Sequence, residues 1–329
     1  GMTAALAVAD AGYDVHLVER KGELGGNLHH VYFVAEGDNP QRLLRDLVNR
    51  VIGHERIRLH LRTEVAAHSG SVGDFRAVLH TASDRGPART QEIRHGVTVL
   101  ATGGEETRSP RYLLGADPRV IPQSALEEIL THQAERAGRL RSVAMIQCVQ
   151  PEGAVEYCSR ICCTNTIKNA VRLKMLNPGC QVVVFYKNII TYGFREQYYV
   201  EARRRGVLFV RYTDNDPPQV RLEPRGARQA LVVSAVEHVF GTTLTIEPDL
   251  LALSMSIEPS PGMDALAKMF GLPLSSEGFF MEAHLKMRPM DFMVEGVFVA
   301  GMAHYPKFIE EAISNAQAAA GRALTLLSK

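Results

Sequence analysis

No run of about 18 consecutive apolar residues occurs in the chain, so no membrane-spanning helix is expected. The amino end has neither a cationic region nor a small-residue cleavage site, so no signal peptide is expected. There is no basic excess: net charge is +1 over 329 residues, which argues against a nucleic-acid partner. Internal repeats and low-complexity stretches are lacking. Cysteine is scarce, at five residues. An odd number without an export signal points to a reducing cytoplasm. There, clustered cysteines bind metal or do redox work more often than they form structural disulfides. What remains is a globular composition, 46% apolar, in a chain long enough for two domains with sizeable cores.

Residues 1–20 carry a dinucleotide pattern. An Ala-rich run favours a helix, Gly12 can end it, and 13–19 reads as a strand closing on Glu19. In such a unit the Gly-rich turn and helix N-terminus hold a pyrophosphate. The acidic residue about 20 positions on bonds a ribose hydroxyl. Gly1 takes the place of the last glycine of G-x-G-x-x-G; the preceding strand and first two glycines are not among these residues. The turn Gly22-Glu23-Leu24-Gly25-Gly26-Asn27 follows, and its glycine pair suits a closely approaching flavin dinucleotide or an ordinary solvated turn. Alternation over 56–70 and 75–82 predicts an antiparallel meander. A buried strand is expected within 96–104, ending in Ala101-Thr102-Gly103-Gly104. Another is expected after Gly296, leading through Gly301 to an Ala-rich helix whose N-terminal dipole can face a pyrophosphate or flavin ring.

Between these parts lies an insert. From Arg139 the pattern runs strand, helix, strand, helix, strand, which predicts a parallel sheet shaped like a nicotinamide domain. Its first turn is Cys148-Val149-Gln150-Pro151-Glu152-Gly153, with no G-x-G-x-x-G. Without those glycines a pyrophosphate cannot approach the backbone, so NAD(P) is not expected here.

That turn opens the cysteine group Cys148-x9-Cys158-x3-Cys162-Cys163. Four thiolates suit a [4Fe-4S] cluster or zinc, although the C-x2-C knuckles usual for zinc are missing. Cys158 with Cys162, or the adjacent pair, could serve as a catalytic dithiol. Buried cysteines acting as small hydrophobes are the plain alternative. The spacing matches no ferredoxin run and leaves these readings open. Cys180, after Pro178-Gly179 at a strand start, reads as structural.

The motif order resembles the HdrA family of heterodisulfide reductase components and their bacterial relatives, which are FAD and iron–sulfur proteins. The resemblance is carried by GMTAALAVADAGYDVHLVER-x4-LGG, VTVLATGG, IQC-x9-CSRICC-x4-IKNA, YKNIITYG and GVFVAGMAHYPKFIEEAISNAQAAAGRA. It implies an α/β fold: a thioredoxin-reductase-like FAD domain with an inserted Rossmann-like second domain. The FAD domain would occupy 1–138 and 257–329, the insert 139–256. The cluster ligands would be Cys148, Cys158, Cys162 and Cys163. Lys168 would stand near the flavin N5, where a cation favours an anionic reduced flavin; without the resemblance it reads as a solvated helix lysine. FAD contacts would fall on Gly1, Glu19, Arg20, Gly25, Gly26, Asn27, Val65, Ala101, Thr102, Gly103, Gly301, Met302, Pro306 and Lys307.

The implied activity is flavin-to-cluster electron transfer in a heterodisulfide-reductase-like complex, with electron bifurcation among the tasks raised. The implied partners are the complex's other subunits and ferredoxin-like or hydrogenase/dehydrogenase donors, around a homodimeric core. The chain lacks C-x2-C-x2-C-x3-C runs and the further cysteines after LGG found in methanogen forms, so a single cluster is expected. Met302 stands where many related reductases carry an aspartate. His304 sits near the expected flavin loop, where backbone amides are the better candidates. His29-His30 and Arg203-Arg204-Arg205 read as solvated. Met281, Met287, Met290 and Met293 read as core or loop filler, or as an apolar partner surface.

Overall fold

The computed structural model describes residues 1–83, 88–238 and 241–329. The chain forms two compact units: 1–29, 41–105 and 258–329 in the first, 30–40 and 106–257 in the second. Among the described residues no helix is long and apolar enough to cross a membrane.

In the first unit the helix Met2–Asp10 buries Ala4, Ala5, Leu6, Val8 and Ala9. Gly12, at φ 96, turns the chain into the strand Val15–Val18. This strand pairs in parallel with Ile57–His60, Val15 opposite Ile57. The alternation of 56–60 suggests the start of an antiparallel meander, and the structure corrects this. Ile57 and Leu59 pack with Val15, Leu17 and Val51, and Arg62, at φ 51, breaks the run. The meander begins at Thr63, with Thr63–Ser71, Asp74–Thr81 and Arg89–His95 antiparallel.

A second parallel pair joins Thr98–Leu100 to Val297–Val299. Against it the helix Ile309–Leu327 sets Ala316, Ala319, Ala320 and Ala323 beside Ala4 and Val8 of the first helix. Side chains this small let two helix backbones approach closely.

The second unit is a five-stranded parallel sheet ordered Leu208–Arg211, Gln181–Tyr186, Ser142–Val149, Leu250–Met255, Val120–Pro122. Both faces are covered, so its strands are near-continuous apolar runs. Val143 and Met145 face helices Gln123–His132, Cys162–Leu176 and Glu196–Arg204 through Leu126, Ile167 and Ala202. Ala144 and Ile146 point the other way. They meet Leu231 and Val233 of an antiparallel layer, Gln219–Arg225, Arg228–Glu237 and Thr242–Ile246. Each fully buried aliphatic side chain contributes roughly 1.5–3 kcal/mol. Residues 106–138 lie in this unit because Val120–Pro122 completes its sheet beside Leu250–Met255.

Candidate metal centre and dinucleotide site

The four clustered cysteines come from three pieces of the second unit. Cys148 sits at the carboxyl end of Ser142–Val149 with φ 58. A non-glycine residue there costs about 1–2 kcal/mol, and it takes the side chain out of the strand's alternation. Cys158 is exposed in the following loop. Arg160, at φ 63, turns the chain into the helix Cys162–Leu176, whose first two residues are Cys162 and Cys163. Thiols in a first helical turn face the positive end of the dipole, which favours thiolate.

The four sulfurs lie within electrostatic reach of one another. Burial pushes the Cys148 thiol up to about 11, with the Cys163 and Cys158 sulfurs adding to the rise. The hydrogen bond between Cys162 and Cys163 raises the first thiol and lowers the second. Backbone N–H groups point at sulfur: Arg160 N at 3.4 Å from Cys158 Sγ, Lys187 at Cys148 and Ile190 at Cys163. The Cys163 thiol donates to Gln147 Oε1 at 3.1 Å. Gln147 Nε2 and Thr164 Oγ1 are buried without a hydrogen-bond partner among the described residues.

In number, softness and N–H donors, this donor set fits a thiolate-held group. Among the described residues, no three or more His, Cys, Asp or Glu side chains are disposed to hold a single metal ion. Cys180 lies apart, wholly buried in the core with Val182 and Leu173.

Lys168, further along the same helix, is not the solvated lysine its polarity suggests. It is buried, with Nζ 2.8 Å from Glu127 Oε2. It also donates to the Phe33 carbonyl at 2.6 Å. The other Glu127 oxygen accepts from Tyr32 N at 2.7 Å and Phe33 N at 3.2 Å. Burial holds the ammonium pKa below its ordinary value, against the opposing pull of Glu127 and Glu36. Glu127 gives no signal in the sequence, because 41 positions separate it from Lys168 and no motif surrounds it.

In the first unit the expected dinucleotide residues form connected groups. Gly1 abuts Leu17 and Ala101; a Cβ on it would lie 3.9 and 3.8 Å from their side chains. Glu19 Oε1 accepts from Lys21 N at 2.8 Å. Arg20 donates to the Pro261 carbonyl at 2.6 Å and lies 3.8 Å from Glu105. Gly25 has φ 128, and a Cβ there would come within 2.7 Å of His29 Nε2 and Leu44 Cδ1. Gly26 also has positive φ, at 52. Asn27 Nδ2 donates to the Gly104 carbonyl at 2.6 Å, tying the glycine turn to the strand end Ala101-Thr102-Gly103. There Thr102 Oγ1 is buried and unpartnered among the described residues.

Val65 is half-buried beside a bulge opposite Leu79, next to Glu64, whose carboxylate lies 4.0 Å from Arg20. Gly301, at φ 66, gives its N–H to Asn315 Oδ1 at 2.6 Å. Met302 is half-buried, and Pro306 and Lys307 are buried. Lys307 Nζ stands 3.1 Å from the Tyr305 ring centroid. The His304 imidazole is taken by Glu282 at 2.6 Å. His29 is half-buried with Nε2 on the Leu24 carbonyl, while His30 is exposed.

No family model matches the chain. It is 26% identical over its whole length to the HdrA component of the ferredoxin:CoB-CoM heterodisulfide reductase of Methanosarcina acetivorans, of which it spans 55%. It is 33% identical over 70% of its length to the iron-sulfur HdrA component of the CoB–CoM heterodisulfide reductase of Methanocaldococcus jannaschii, of which it spans 37%. Thus the chain covers about half or less of these relatives. Among solved structures, thioredoxin reductases of T. acidophilum and Lactococcus lactis match at TM-score 0.64 and 14% identity. The match covers 99% and 100% of this chain, and 93% and 95% of theirs. The fold is therefore thioredoxin-reductase-like and α/β, as the motif order implies. By sequence the chain belongs to the HdrA family of heterodisulfide reductase components and their relatives.

Proposed function

We propose that this chain is a flavin- and iron–sulfur-dependent electron carrier, the core of a heterodisulfide-reductase-like complex. FAD would be bound by the first unit through the loops of Gly1, Glu19, Gly25-Gly26-Asn27, Ala101-Thr102-Gly103 and Gly301, with Arg20, Val65, Met302, Pro306 and Lys307 as further contacts. A [4Fe-4S] cluster would be ligated by Cys148, Cys158, Cys162 and Cys163. The observation that carries this reading is the gathering of four thiols with backbone N–H groups directed at three of them. A four-iron cluster puts its own bulk between its ligands, so the thiols need not converge as they would on one ion.

When bound, flavin supplies exchange between two-electron and one-electron chemistry, and the cluster supplies one-electron transfer. The protein's part is to ligate, to exclude water and to set potentials. Lys168 is the positively charged residue assigned to the flavin. The complex's other subunits and ferredoxin-like or hydrogenase/dehydrogenase donors are the proposed partners, around a homodimeric core, with bifurcation as the extended activity. The names of two relatives, a ferredoxin:CoB-CoM and a ferredoxin/F420H2-dependent heterodisulfide reductase, support a ferredoxin-like donor. The test is an absorption spectrum with iron, sulfide and flavin quantitation on anaerobically purified protein. Four irons and one flavin per chain are expected; stoichiometric zinc without flavin would overturn the reading.

The hydrogen-bonded Cys162–Cys163 pair favours one second reading, an FAD-dependent thiol–disulfide oxidoreductase. It predicts a flavin–thiolate charge-transfer band on reduction and turnover with a dithiol, both without iron.

A further inference from the structure

Gln147 is wholly buried beside Cys148 in the central strand, where the residues before it, Met145 and Ile146, are apolar. Its carbonyl oxygen accepts the Tyr212 hydroxyl at 2.6 Å, so its backbone is held in place. Its side chain reaches Cys163, whose thiol donates to Oε1 at 3.1 Å. That leaves Nε2, buried and without a partner among the described residues. A primary amide sealed from water with its donors unused is costly, and an apolar residue of similar size would avoid the penalty.

The arrangement makes sense if the thiol is not the working state. A sulfur that ligates metal carries no S–H, so Oε1 then has nothing to accept. A half-turn of the amide plane presents Nε2–H to the same sulfur. Resting on the cluster reading above, we propose that Gln147 is a tuning residue for the cysteine-held group. Its amide N–H donates to the ligated Cys163 sulfur and raises the group's reduction potential. Donors to ligating sulfurs stabilise the added negative charge of the reduced state. The donors to Cys158, Cys148 and Cys163 named above are backbone groups. Gln147 is a side chain, and substitution can therefore remove its donor.

Gln147→Leu removes the donor; Gln147→Glu keeps the shape but puts negative charge at the sulfur. Both would be purified anaerobically beside the wild type, with iron and sulfide quantified and midpoint potentials read by EPR-monitored titration. Both variants should keep wild-type iron. The leucine variant should be harder to reduce by about fivefold in the one-electron equilibrium, ~40 mV at 59 mV per tenfold, and the glutamate variant by more. Midpoints unchanged in both would overturn the inference. So would loss of iron from both with helical content retained, because a donor that only tunes is not needed to hold the group. If leucine alone loses iron, the glutamate variant decides. A wild type without iron would overturn the cluster reading, and this inference with it.

Discussion

The Lys168 ammonium lies 2.8 Å from the Glu127 carboxylate, and both side chains are buried. The same carboxylate holds the Tyr32 and Phe33 amides. One acidic residue thereby neutralises an interior lysine and pins the stretch 30–40 to the second unit. Removing either charge strands the other away from water, which costs about 3–5 kcal/mol. Glu127→Gln should lower the melting temperature sharply, and Lys168→Met paired with Glu127→Gln should recover part of the loss. A double-mutant cycle with no coupling would contradict this. Lys168→Met should also shift the flavin potential while iron content stays intact; an unchanged potential would remove Lys168 from the flavin's surroundings.

Acid should weaken the first unit through its histidines. Burial, with His68 and His16 nearby, holds the His95 pKa at about 4, below its ordinary 6.5. His16, His60 and His68 are lowered too, mainly by burial. Between pH 6.5 and 4 the unfolded chain binds a proton that the folded His95 refuses. Stability therefore falls as pH drops through that window, and this contribution is fully lost below about 4. Thermal melts from pH 7 to 4 should show the decline, and His95→Gln should flatten it. Equal slopes for variant and wild type would show that His95 is not a source.

Gly25 tests the glycine turn. Its φ of 128 lies where an L side chain is strained, and a Cβ would press on His29 and Leu44 at 2.7 Å. Those atoms end flexible side chains and can yield; the backbone cannot. Gly25→Ala should cost ~1–3 kcal/mol and reduce flavin retention after gel filtration. Undiminished flavin at wild-type stability would place the turn away from the dinucleotide.

Much of the second unit is legible in the sequence because strand and helix there carry different periods. Ser142–Val149 and Gln181–Tyr186 carry the apolar runs 143–146 and 182–185, and the helix Cys162–Leu176 between them spaces Ile167, Ala170 and Leu173 on one face. Pairing partners are less legible. Ile57–His60 alternates like a meander strand, and only its contacts with Val15 and Leu17 show that it runs parallel. The helix Pro40–Gly53 stands in no named motif, although its Leu43, Leu44, Leu47, Val48 and Val51 recur at helical spacing. The cysteines announce themselves by density. Gln147 and Glu127 do not, because each matters through a residue 16 or 41 positions away, a distance no local pattern spans.

The central claim is that four particular thiols hold iron. The direct measurement is iron per chain in anaerobically purified wild type, in the Cys162→Ser/Cys163→Ser variant, and in Cys180→Ser as a control for a buried thiol outside the group. The account predicts four irons in the wild type, loss of most of them in the double variant, and no loss in Cys180→Ser beyond a modest drop in stability from the buried hydroxyl. Iron unchanged by the double substitution, or absent from the wild type, would contradict it.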